Sequence, residues 1–94
     1  SELNLLIALF NRGGYVLDLS TPAFDELTLK EIGLKLTDFY GKSKGKSLMA
    51  YIKEGKENDV IKLLVALFDY YSSNSYYEEE RKGDNYQKCL SIVN

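Results

Sequence analysis

Apolar residues recur along this chain at helical spacing, and nowhere more densely than in residues 59–71. There Val60, Ile61, Leu64, Leu67, Phe68 and Tyr71 share one side of a helix with about 3.6 residues per turn, and Leu63 and Tyr70 widen the stripe. Lys62, Val65, Ala66 and Asp69 are left for the opposite side. Burying each large side chain contributes roughly 1.5–3 kcal/mol, so the pattern predicts a central rod against which the other elements pack. Asn58 or Asp59 is placed to cap its start.

The flanking segments repeat the pattern on a smaller scale. Leu3, Leu6, Ile7 and Phe10 form a first stripe, broadened by Leu5 and Leu9 and closed by Gly13-Gly14. Residues 15–19 alternate poorly and have no second β-rich run to pair with, which predicts an isolated extended connector. Ser20-Thr21-Pro22 combines a hydroxyl cap with a first-turn proline, so a helix over 22–32 should bury Phe24, Leu27 and Ile32 and stop at Gly33. Leu34, Leu36, Phe39 and Tyr40 follow as a short turn carrying core side chains. Residues 41–47 read as a polar, basic, glycine-rich loop leading into a helix over 47–54. Residues 72–83 read as a solvated polar connection to a last helix, capped by Asp84, with Tyr86, Cys89, Leu90 and Val93 on one face. The sum is an all-α compact bundle of five or six helices, one domain spanning 1–94.

Composition narrows the chemistry. The chain has no histidine, hence neither the commonest neutral-pH acid/base group nor the commonest transition-metal ligand. We therefore expect no catalytic residues, no metal ligands and no cofactor. Cys89 is the single cysteine and cannot form an internal disulfide, and no apolar leader opens the chain; both predict a cytoplasmic setting. No run approaches the ~18 apolar residues of a membrane span, so no membrane partner is expected. A start without Met and an apolar pattern interrupted at Val93-Asn94 suggest a domain excised from the N-terminal part of a longer protein.

Two groups of residues carry functional expectations. Gly45-Lys46-Ser47 ahead of a helix is similar to the end of a phosphate-binding loop, but Tyr40 stands where the first glycine belongs and no strand precedes it. What survives is a weaker anion reading, in which Lys42, Lys44, Lys46 and Arg12 contact phosphates of a nucleic acid or nucleotide. Arg12 could instead pair with Asp18 or Asp25, while Asp25 and Glu26 suit the start of their helix. The second group is aromatic: Tyr70, Tyr76, Tyr77 and Tyr86 sit beside Glu78, Glu79 and Glu80, which would repel a phosphate backbone. A protein interface is the better expectation for them.

Three blocks in order, Phe10-Asn11-Arg12-Gly13-Gly14-Tyr15-Val16-Leu17-Asp18, then Tyr40-Gly41-Lys42-Ser43-Lys44-Gly45-Lys46-Ser47-Leu48, then Val60-Ile61-Lys62-Leu63-Leu64 with Asp69-Tyr70-Tyr71, resemble the helical N-terminal domain of AbiJ-like abortive-infection proteins. Ser20 and Phe24-Asp25 fall between the first two blocks. The likeness covers residues 3–71. It implies a non-catalytic sensor or regulatory domain of a bacterial antiphage defence protein, one that controls a separate downstream effector, often a HEPN-type ribonuclease, by protein contact or self-association. No catalytic residue is carried over by it.

Overall fold

Ser20 starts the best-defined helix of the protein as its sequence requires: the side chain accepts from the Ala23 N–H at 3.2 Å, Pro22 occupies the first turn, and Gly33 ends the helix in the left-handed region at φ 75°. The computed structural model describes residues 2–93. In chain order these residues form α1 (Glu2–Phe10), β1 (Asn11–Arg12), β2 (Tyr15–Val16), α2 (Thr21–Ile32), α3 (Leu36–Tyr40), α4 (Lys44–Glu54), α5 (Glu57–Ser73), two 3₁₀ turns (Ser75–Tyr77 and Glu80–Lys82) and α6 (Asp84–Val93). The architecture is the expected all-α bundle, with six α-helices among the described residues. No helix among them is long and apolar enough to cross a membrane.

The rod is α5, and its buried residues are Val60, Leu63, Leu64, Leu67, Phe68 and Tyr71. Those positions step by three and four, the true phase of an amphipathic stripe. Ile61 lies one residue off that phase and is 51% exposed, so its expected place in the core is corrected, while Val60, Leu63, Leu64, Leu67, Phe68 and Tyr71 keep theirs. In α1 Leu6, Leu9 and Phe10 are buried as expected, while Leu3 and Leu5 are exposed. Helix α2 packs along α5, α3 closes on α2 and α4, and α6 lies against α1.

Three local expectations are also corrected. Tyr15–Val16 is not isolated, because Asn11–Arg12 pairs with it antiparallel, Asn11 opposite Val16 and Arg12 opposite Tyr15. Gly13 and Gly14, at φ 62° and 94°, form the tight reversal between them, both positive as a type I′ hairpin demands. Helix α4 begins at Lys44 rather than Ser47, since Ser43 supplies the cap by accepting from the Lys46 N–H at 3.3 Å. Helix α5 begins at Glu57 after Lys56, with no side-chain cap from Asn58 or Asp59.

The hinge of the small α3 helix is made by polar atoms inside the bundle. Thr28 is fully buried; its hydroxyl accepts from the Leu36 N–H at 3.2 Å and donates to the Asp25 carbonyl. Asp25 accepts from the Thr37 N–H at 2.9 Å and from the Thr37 hydroxyl at 2.5 Å. This carboxylate therefore caps a neighbouring helix rather than pairing with Arg12.

Candidate functional site

Residues 72–83 are mostly exposed, as a solvated connection should be, yet they are also sewn to the N-terminal hairpin through Tyr77 and Glu80. The Arg12 guanidinium donates to both oxygens of Glu80, at 2.9 and 3.2 Å, and its Nε donates to the Leu9 carbonyl. Tyr71 donates to the same Glu80 at 3.3 Å, and Arg12 lies over the Tyr77 ring at 5.8 Å. Below this pair, Leu17 adopts φ 50°, a left-handed conformation that costs a branched residue about 1–2 kcal/mol. The turn that results directs Asp18 to two phenols. Tyr77 donates to Asp18 Oδ1 at 2.6 Å while accepting from the Asp18 N–H at 2.7 Å, and Tyr70 donates to the same carboxylate oxygen at 2.7 Å. Arg81 ties the far side by donating to the Tyr71 and Asn74 carbonyls.

The charges of this seam respond accordingly. Partial burial opposes ionisation of Asp18, but hydrogen bonds from Tyr77 and Tyr70 outweigh it and hold the carboxyl below its ordinary value. Glu80 is likewise lowered, first by its hydrogen bonds from Arg12. Burial, reinforced by the bond to Asp18, pushes the Tyr77 phenol well up. A carboxyl depressed in the folded state stabilises the fold above its unfolded pKa, and that contribution disappears as the pH falls through the folded value. Thermal unfolding is therefore expected to move to lower temperature on acidification from about pH 5 to about pH 3. An Asp18→Asn, Glu80→Gln double variant should give a shallower profile; equal slopes for variant and parent would show that the seam carries none of the dependence.

The four expected cations have different surroundings. Arg12 is committed to Glu80. Lys44 is buried, with its Nζ 4.9 Å from the Tyr15 ring centre and 3.4 Å from the Thr21 hydroxyl. Lys42 and Lys46 remain exposed. Three amides of the first turn of α4 are engaged as well: Gly45 N–H donates to the Gly14 carbonyl at 2.9 Å, Lys46 N–H to Ser43 Oγ, and Ser47 N–H to the Ser43 carbonyl. Ser47 turns its hydroxyl inward onto the Lys42 carbonyl. Each part of the Gly-Lys-Ser likeness thus has an internal explanation or points to solvent.

The four expected interface tyrosines separate too. Tyr77 is 1% exposed and belongs to the core, which corrects its assignment to a contact surface; Tyr86 is half-buried and stacked on Phe68 at 5.8 Å. Tyr76 is 71% exposed. Tyr70 is half-buried and faces a feature that the sequence reading missed.

That feature is a groove of about 1070 Å³ between α2 and α5. Leu19, Ala23 and Leu27 on one wall and Val65, Ala66 and Tyr70 on the other give it apolar surface, while Glu26, Lys30, Glu31, Lys62 and Asp69 supply charge. Tyr70 bonds to Asp18, just ahead of α2, so the end of α5 lies beside the beginning of α2 and the lining follows the two helices in opposite directions. The signal was present in the sequence: Val65 and Ala66 are apolar residues on the side of the rod assigned to solvent. Val65 is 38% exposed, a branched apolar side chain left partly open to the groove.

No family model, no curated protein and no solved structure matches this chain.

Proposed function

We propose that this chain is a non-catalytic recognition domain that holds a segment of a partner protein in the α2–α5 groove. The carrying observation is the groove itself, an open apolar trough rimmed by charged residues on an otherwise well-packed bundle. Small or partly apolar residues at Ala23, Ala66 and Val65 let a partner approach the helix backbones closely, and Tyr70 supplies the aromatic anchor typical of contact surfaces. The seam gives this surface a rigid end, since Asp18 fixes Tyr70, and Arg81 fixes the Asn74 carbonyl beside it. In the setting implied by the resemblance, the partner segment belongs to an abortive-infection system and its capture controls a separate effector.

Ala66→Arg tests the reading. A long cation in the middle of the trough leaves the buried face of α5 untouched, and arginine is a good helix former. Peptides selected from a random display library on the parent chain are expected to lose at least about tenfold in affinity for the variant, or about 1.4 kcal/mol. Peptides that bind both proteins equally would place the contact surface elsewhere.

A further inference from the structure

We infer that the occupant of the α2–α5 groove is an amphipathic α-helix of a partner protein whose apolar stripe is flanked at mid-length by lysine or arginine; this inference rests on the recognition reading above. The trough is walled by two helices whose backbone groups are already bonded within themselves, so neither wall offers the open edge that an extended peptide needs for strand addition. A third helix fills such a trough at the usual axial spacing of about 8–10 Å. Helix α2 has 12 residues, so a partner helix of roughly 12 residues, about 18 Å long, matches the wall.

Charge specifies the rest. Glu26 lies midway along the α2 wall, and Asp69 lies on the α5 wall between Ala66 and Tyr70. Among the described residues the ion pairs are Arg12 with Glu80 and Lys82 with Glu79, so neither Glu26 nor Asp69 has a cationic partner. Lysines enter the groove only farther on: Lys30 stands four residues past Glu26 on α2, and Lys62 seven residues before Asp69 on α5, where Glu31 offsets one of them. The middle of the trough is therefore acidic, while the far end carries one net positive charge. A helix that brings cations to the middle pairs with both carboxylates, and its apolar stripe covers Leu27, Val65 and Ala66. The same carboxylates repel the phosphates of a nucleic acid, which makes a protein helix the fitting occupant.

Three synthetic helices of about 12 residues, hydrocarbon-stapled on the solvent side and identical in their leucine and alanine stripe, test this by fluorescence anisotropy at low salt. They differ only in the two mid-length flanking residues: lysine, glutamine or glutamate. The lysine peptide is expected to bind roughly tenfold more tightly than the glutamate peptide, with the glutamine peptide between them. A Glu26→Gln, Asp69→Asn variant, both changes being on exposed side chains, should bring the lysine peptide to the glutamine peptide's affinity. Equal affinity of all three for the parent chain overturns the charge assignment and leaves the groove reading standing. No saturable binding of any of them, while library peptides still discriminate Ala66→Arg, overturns the helical occupant. Failure of both the helices and the library peptides removes the recognition reading itself.

Discussion

Tyr77→Ala is expected to destabilise the fold by about 3–5 kcal/mol, the range for deleting a large buried aromatic side chain, although every neighbour of Tyr77 in sequence is polar or exposed. Its ring is 1% exposed and packs at 4.7 Å from Tyr71, and its hydroxyl closes a two-way hydrogen bond with Asp18. Removing it empties the centre of the seam and leaves the Asp18 N–H without its acceptor. Domains of this size carry only about 5–15 kcal/mol of net stability, so the loss should lower Tm by well over 10 °C at about 4–8 °C per kcal/mol. Tyr77→Phe separates the two contributions: the ring stays, the hydrogen bonds go, and a smaller loss of about 1–3 kcal/mol is expected. Tyr76→Ala is the internal control. Its side chain is 71% exposed, and the substitution should stay within about 0.5 kcal/mol of the parent. A Tyr76 variant less stable than the Tyr77 variant would mean that the 3₁₀ turn faces the other way.

The second large effect concerns Gly45. On an exposed helix a glycine-to-alanine change gains up to about 1 kcal/mol. Here a Cβ would stand 2.9 Å from Asn11 Oδ1 and 3.1 and 3.2 Å from the Cα and carbonyl carbon of Gly14. The Asn11 side chain can turn aside, but Gly14 is hairpin backbone, whose carbonyl accepts the 2.9 Å bond from the Gly45 N–H. Gly45→Ala should therefore forfeit the usual gain. Gly45→Val, which adds two methyl groups beyond that Cβ, should destabilise by about 1–3 kcal/mol. Denaturant unfolding reads both, and a stabilised valine variant would show that hairpin and helix do not touch. The result also decides the meaning of the Gly-Lys-Ser run: glycine is required there because two backbones meet.

Much of the architecture could be read from the sequence because it depends on local signals. The cap at Ser20, the proline at 22, the left-handed end at Gly33 and the burial of Cys89 each follow from residues within a turn or two. The stripe of α5 was visible and in the right phase, with Ile61 alone misassigned, since in a run as apolar as residues 60–68 only packing against α2 and α1 sets where the buried face ends. The hairpin escaped because its partner strand, Asn11–Arg12, is two polar residues long and carries no β signature. Lys44 was assigned to a wet loop because nothing nearby in the chain announces that Tyr15 and Thr21 will receive it. The candidate site was the least accessible. Glu80 and Arg12 meet across 68 positions, Asp18 and Tyr77 across 59, and a groove is a property of two helices rather than of either one. The anion reading placed four cations together by their type; the fold engages Arg12 and Lys44 internally and leaves Lys42 and Lys46 outside.

The seam has an optical consequence. The chain contains eight tyrosines and no tryptophan, so its near-ultraviolet absorption and emission come almost wholly from phenols, with no indole to mask them. Three of those phenols, on Tyr70, Tyr71 and Tyr77, are bonded to seam carboxylates and resist ionisation beyond the ordinary tyrosine value. Alkaline difference spectra thus follow the late ionisation of these phenols and, through it, the opening of the clasp between the N-terminal and C-terminal thirds, without any added label.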